Sequence, residues 1–258
     1  MNWIDIMSDF DSPFTIFAVV LAVQLVGAYV GDAFRRKVRP FKEEEREDFD
    51  VVRTASLTLL GLIIGFSFAM AVSRYDQRKN LEEAEANAIG TEYLRANLLP
   101  AGEASRVREL LNAYCDERTS YYVARDELRV GKIDADTAKL QADLWGVVER
   151  VAMAQPTPIV GLVVSGMNDV LNAQGYTQAA WWNRIPFAAW MLMGLIAIAC
   201  NLLVGYGEHR RTALFLILPL IVSTSMFLIA DIDSPRLGTI RVQPHNLMSQ
   251  CQSIKPAS

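Results

Sequence analysis

The sequence predicts an all-α membrane protein: four transmembrane helices, with an extramembrane helical bundle inserted between spans two and three. Three observations carry this. Four apolar stretches of about 20 residues, the length that crosses a bilayer, stand in a chain of 258 residues that is 52% hydrophobic. The long segment between the second and third stretches has helical periodicity and no alternating strand pattern. The second stretch, Ala55 to Ser73 (ASLTLLGLIIGFSFAMAVS), is uncharged and then runs into polar sequence rich in helix formers, with no proline before Pro100. One helix from Thr54 to Leu99 is therefore expected, roughly 45 residues and about 67 Å long at ~1.5 Å per residue. About 30 Å of it would lie in hydrocarbon, and span two would continue into water.

Composition removes several function classes. A formal net charge of −4 gives no basic excess for nucleic acid. Cys115, Cys200 and Cys251 have no CxxC or Cys/His ligand spacing, and His209 and His245 stand alone, so neither a metal site nor a cofactor is indicated. There is no HExxH, GxSxG, P-loop or strand-attached Rossmann glycine pattern, and with two isolated histidines proton-transfer chemistry has few candidates. No catalytic residue is nominated, and the chain is not read as an enzyme. The partner implied by composition is the lipid bilayer.

Residues 1 to 12 carry three aspartates and no Lys or Arg. Pro13 to Phe34 is the first span, with Asp32 near its end. The stretch from Arg35 to Lys42 (RRKVRPFK) has five basic residues in eight. The positive-inside rule then places the N-terminus outside and the loop from 35 to 54 in the cytoplasm of a cell or inner membrane. On the long helix, Gly61, Gly65, Ala69 and Ser73 form a small-residue stripe that lets another helix approach closely. Leu62, Phe66 and Met70 occupy a different face. Beyond the membrane, Leu81, Ala84, Ala88, Tyr93 and Leu94 suggest an inward seam, with Glu82, Glu83 and Glu85 on wetter sides.

A second water-exposed helix is expected from Glu103 to Arg129, broken at Gly131. A third follows from an Asp134 N-cap to about Ala154, and a fourth from Ile159 to Gln174, ended by Gly175. Trp181, Trp182 and Arg184 read as a membrane-interface cluster. Pro186 to Tyr206 is span three, residues 207 to 211 a cytoplasmic turn with two arginines, and Thr212 to Ala230 span four. The tail from Asp231 is polar. The expected divisions are thus 1–54, first span and basic loop; 55–184, second span and bundle; 185–230, spans three and four; and 231–258, tail. With bundle and tail on the outer side, Cys115 and Cys251 share an oxidising compartment in which a disulfide is open to them. Cys200, inside span three, reads as a small packing residue.

Residues 61 to 95, GLIIGFSFAMAVSRYDQRKNLEEAEANAIGTEYLR, resemble the signature stretch of the bestrophin-like family of bacterial and plant membrane proteins. The run Ala230-Asp231-Ile232-Asp233-Ser234-Pro235, with Gly238 to Val242 after it, resembles that family's tail motif. The resemblance covers most of the chain and implies a fold rather than an activity. A more distant resemblance, to the bestrophins themselves, rests on Gly65-Phe66 and Arg74-Tyr75. Bestrophins are pentameric anion channels, and they carry a Gly-Phe and an Arg-aromatic pair at that spacing on their pore-lining second helix. Carried over, Leu62 and Phe66 would form a hydrophobic neck of the kind that gates ions by dewetting. The sequence departs from bestrophins in its orientation, because they keep the bundle in the cytoplasm.

Two functions follow. One is an oligomeric, channel-like pore lined by the 55–73 helix, with Leu62, Phe66 and Met70 at its neck and Gly61, Gly65 and Ala69 packing against the next copy. Arg74 and Arg78 would then supply a charged vestibule, or pair with Asp231 and Asp233 to hold the tail near the membrane. The other is a membrane-anchored helical scaffold or sensor whose bundle binds a soluble partner that the sequence does not name.

Overall fold

The computed structural model describes residues 13–37, 43–207 and 214–255. All regular elements among them are helical: α1 (Pro13–Lys37), α2 (Glu43–Arg95, closed by a short 3-10 turn Ala96–Leu98), α3 (Ala101–Val123), α4 (Glu127–Ala154), α5 (Pro158–Trp182), α6 (Phe187–Gly207), α7 (Leu214–Asp233) and α8 (His245–Ile254). Four of the helical segments are long and apolar enough to cross a membrane. The expected N-terminal segment 1–12, most of the basic stretch Arg35 to Lys42, and the arginine turn lie outside the described residues.

The long helix is longer than expected, 53 residues from Glu43. The sequence Glu43-Glu44-Glu45-Arg46-Glu47-Asp48, expected as part of a connector, is helical instead. Its residues are good helix formers, and acidic side chains at a helix N-terminus meet the positive end of the macrodipole. In the bundle, Gly131 and Gly175, expected to end helices, lie inside α4 and α5. A helical glycine is disfavoured by about 1 kcal/mol relative to alanine. Burial of Ile133 and Thr137 beyond Gly131, and of Thr177 and Ala180 beyond Gly175, offsets it. The cap of α4 is Asp126 rather than Asp134; its carboxylate accepts from the Arg129 N–H.

The chain divides into two compact units, residues 1–74 with 184–241, and residues 75–183 with 242–258. In the first, α1 packs on α6 and α7. The α1–α6 contact is close because Gly31 faces the backbone of Leu202 to Tyr206 while Gly205 faces Ala28, leaving no room for a Cβ on either glycine. The small residues that join helices within the chain are therefore these, and not Gly61 or Gly65. Three polar side chains meet inside this apolar packing. Asn201 Nδ2 donates to Gln24 Oε1 at 2.7 Å, and Gln24 Nε2 donates to Ser223 Oγ at 3.3 Å. Asp32 is buried and takes Arg35 at 2.7 Å and Arg36 at 2.8 Å. Cys200 is buried and free.

The second unit is a bundle of the outer part of α2 with α3, α4, α5 and α8, around a core that includes Val107, Leu111, Tyr114, Leu144, Val148, Val163, Met167 and Leu247. The expected inward seam of α2 is rotated. Ala84 and Leu94 are exposed, whereas Glu82, Glu85 and Glu92 are buried together with Ala86 and Ile89. The carboxylates point inward because two of them have specific partners there. Glu85 accepts from Arg118 Nε at 2.5 Å, Thr177 Oγ1 at 3.0 Å and Tyr122 Oη at 3.4 Å. Glu82 accepts from the Leu247 N–H at 2.9 Å and Asn246 Nδ2 at 2.7 Å. Trp181, expected at the headgroups, is instead buried in this core, 5.2 Å from the ring of Tyr121 and 5.3 Å from that of Tyr122. Trp182 beside it is exposed.

Candidate functional site

The candidate site is the membrane part of α2. Helical spacing places Leu60, Ser67 and Ala71 on its buried side. The opposite side carries Leu62, Phe66 and Met70, which are 53%, 65% and 38% exposed. Two of the three sequence-nominated neck residues are thus more than half exposed, and all three share one face at spacings of four. Among the described residues, a Cβ added at Gly61 or Gly65 would meet nothing within 4 Å, and Ala69 is exposed. Toward the end of the span, a guanidinium nitrogen of Arg74 lies 3.9 Å from Met70 Sδ.

The nominated charged residues each have their own surroundings. Arg78 is only 2% exposed. Asp231 folds the tail back on the end of α7: its carboxylate accepts from the Thr239 N–H and Oγ1, both at 2.7 Å, and from the Ile240 N–H at 2.9 Å. Gly238 makes the turn possible, since a Cβ there would strike the Asp231 carbonyl. Asp233 accepts from the Ile185 N–H at 3.1 and 3.2 Å, fixing the chain that leads into α6. The two carboxylates of the Asp231-Ile232-Asp233 motif thus satisfy backbone N–H groups at a helix junction that would otherwise be buried unpaired.

This arrangement of an exposed apolar span, a fold-back turn after α7 and a bundle carried on α2 decides the family when it is set beside the family match. The Bestrophin-like domain model matches residues 17–247. The chain belongs to the bestrophin-like family. Solved structures with the same fold include bacterial bestrophin homologues from Klebsiella pneumoniae. A single-substitution variant superposes with a TM-score of 0.66 at 15% identity over 94% of this chain and 95% of that one. A second variant gives 0.63 at 15% identity over 92% and 95%. A structure phased on zinc gives 0.59 at 16% identity over 92% and 95%. No curated protein matches. The molecule is a multi-pass membrane protein of bestrophin-like fold.

Three features of the bundle escaped the sequence. The first is the buried Glu85–Arg118 pair. Burial disfavours charge on Arg118, but the adjoining Glu85 carboxylate outweighs it and holds the guanidinium above its ordinary pKa. Burial, reinforced by the Glu85 charge, pushes the Tyr122 phenol up. The second is Glu92, 0% exposed, whose carboxylate oxygens have no hydrogen-bond partner among the described residues. Burial pushes it up to about 8, against the lowering influence of Arg95 and with a further push from Asp169. The third is the docking of the α8 N-terminus on Glu82; the disulfide that fixes the same helix, between Cys115 and Cys251 with Cα atoms 5.7 Å apart, is the one the sequence left open to this pair. The signal for all three was available only as charge in a bundle helix, which amphipathic patterning assigns to water.

Proposed function

We propose that this bestrophin-like protein assembles as a homo-oligomer around its α2 helices and conducts ions along the axis they enclose. The observation that carries this is the uncovered face of Leu62, Phe66 and Met70. It is a row of large apolar side chains left exposed among the described residues. In the oligomer these side chains form the neck, a constriction that opens and closes by wetting. The stripe of Gly61, Gly65 and Ala69 lies about 100° around the helix and receives the neighbouring copy. Arg74, one helical turn beyond Met70, stands at the mouth of the neck.

We further place the N-terminus and the bundle outside a cell or inner membrane, the reverse of the cytoplasmic bundle of bestrophins. Five basic residues between Arg35 and Lys42, against none in 1–12, support this orientation. So does the Cys115–Cys251 disulfide, a bond that persists in oxidising compartments and is rare in the cytosol. Impermeant thiol labelling of Ser8→Cys and Lys42→Cys variants in intact cells should modify only the first; labelling of the second alone would reverse the orientation.

Purified protein in liposomes tests the pore. Phe66→Ala should raise ion leak while the oligomer keeps its size. Gly65→Leu should break assembly, because a large side chain separates the helices. An intact Phe66→Ala oligomer that records no current would favour the scaffold or sensor function instead.

A further inference from the structure

Of the three carboxylates that α2 turns into the bundle, Glu82 and Glu85 have donors and Glu92 has none. Glu92 is fully buried, and neither of its oxygens has a hydrogen-bond partner among the described residues. Gly166 of α5 lies directly against it. A Cβ at 166 would strike Glu92 Oε2 and Arg95 Nη1, and would lie 3.1 Å from Arg95 Cδ. The Glu92 carboxyl and the end of the Arg95 side chain therefore fill the space that a side chain at 166 would take. Glycine is a poor helix former, and in the middle of α5 its bare backbone is what admits them. The nearby positions on both helices, Ile89 and Ala96, Val163, Met167 and Val170, are apolar and buried. The two helices thus close over one dry, unpartnered carboxyl group.

That group suits the closed seam in one protonation state only. An ionised carboxylate with no donor in apolar surroundings is strongly unfavourable, whereas a neutral carboxyl carries no charge to solvate. The neighbouring charges do not reverse this. Arg95, half-buried and three residues on along α2, makes no hydrogen bond to Glu92 among the described residues, and Asp169, exposed on α5, has the same sign. Burial outweighs the attraction of Arg95 and is reinforced by Asp169, so the carboxyl keeps its proton up to about 8.

We propose that Glu92 is a proton-operated latch on the seam between α2 and α5. Protonated, it lies against Gly166 and the seam is shut. When the seam parts, the carboxyl meets water, gives up one proton to it, and pairs as a carboxylate with the Arg95 guanidinium. Opening therefore releases a proton, and rising pH favours the open form. Closure is favoured most below the usual 4.5, weakens by about tenfold per pH unit above it, and levels off beyond about 8. The latch lies wholly within the bundle and does not rest on the pore assigned above.

The test is amide hydrogen exchange of the full-length protein in detergent at pH 6, 7 and 8, followed by mass spectrometry and corrected for the intrinsic exchange rate. Amides of residues 158–170 in α5 should exchange ahead of those of residues 104–115 in α3. Their protection should fall by about tenfold per pH unit. Glu92→Gln, neutral and of the same shape, should keep α5 protected at all three pH values and remove the slope. Gly166→Ala pushes the carboxyl out of the seam, so it should also remove the slope but leave α5 poorly protected even at pH 6. Parental helicity and elution volume confirm that each variant folds. Exchange of the α5 and α3 amides at one common rate would mean that the bundle opens only as a whole, and would overturn the latch. A slope that survives in Glu92→Gln or in Gly166→Ala would overturn it too.

Discussion

Glu85→Gln removes one charge from the centre of the bundle while keeping nearly the same shape. The side chains of Glu85 and Arg118 are both fully buried, with Nε 2.5 Å from the carboxylate and the guanidinium carbon 4.5 Å above the Tyr121 ring. A glutamine at 85 still offers a carbonyl to Thr177 Oγ1 and Tyr122 Oη, so those two hydrogen bonds have an acceptor. What is lost is the counter-charge. Two other guanidinium nitrogens of Arg118, Nη1 and Nη2, have no hydrogen-bond partner among the described residues, so the Tyr121 ring face is what remains beside the cation. Breaking a buried pair by removing one member destabilises by about 3–5 kcal/mol, because the desolvated partner remains. For a unit the size of the bundle, that corresponds to a fall in apparent melting temperature on the order of 10–20 °C.

The assay is thermal unfolding of the purified protein in detergent, followed by helical circular dichroism, for Glu85→Gln, Arg118→Met and the two combined. The combined variant has no buried charge at this point and keeps the amide acceptor, so it should regain at least half of the loss caused by either single change. Strict additivity, with the double variant as unstable as the sum of the singles, would falsify the argument that these two residues form one electrostatic unit.

The disulfide closes a separation of 136 residues, for which the chain-entropy model gives an upper limit of about 5 kcal/mol; Cys251→Ser should lower thermal stability markedly. In the parent protein Cys115 and Cys251 should both resist alkylation until reductant is added, and labelling of both without reductant would contradict the bond. Glu92 has its folded-state pKa raised from 4.5 to about 8, so the folded bundle binds the extra proton and stability should fall as pH rises through that window. Glu92→Gln should abolish that slope and gain on the order of 4 kcal/mol at most above pH 8, read from melting temperatures between pH 5 and 9. Gly205→Ala places a methyl group within 2.7 Å of the Ala28 carbonyl carbon, so α1 and α6 must separate and the yield of monodisperse protein should drop. Wild-type thermostability in that variant would mean the helices have slack that the packing does not show.

Spans and the long helix were legible because each is a one-dimensional signal: about 20 apolar residues in a row, or an uninterrupted run of helix formers ahead of Pro100. The 11 extra residues at the start of α2 were missed because Glu43 to Arg53 is charged, and charge next to a span reads as a loop even where its residues favour helix. That Leu62, Phe66 and Met70 share one face of α2 was legible for a related reason. They recur at the spacing of one helical face in a segment with no polar competitors. Which face of that segment its own chain covers was not legible, because in an apolar span the buried and uncovered sides have the same composition.

The bundle shows the opposite failure, and the reason is physical rather than statistical. Amphipathic reading of Tyr75 to Arg95 assumes that carboxylates seek water, yet here Glu82, Glu85 and Glu92 face inward and the uncharged Gln77, Asn80, Asn87 and Thr91 face out. A buried carboxylate is tolerated when a specific donor set awaits it, and for Glu82 and Glu85 those donors come from Arg118, Thr177, Asn246 and the Leu247 amide, from 33 to 165 residues away in sequence. No local window contains that information. Removing either of the partnered carboxylates should therefore disturb the bundle as a whole, because each joins helices that are distant in sequence: Glu85 ties α2 to α3 and α5, and Glu82 ties it to α8.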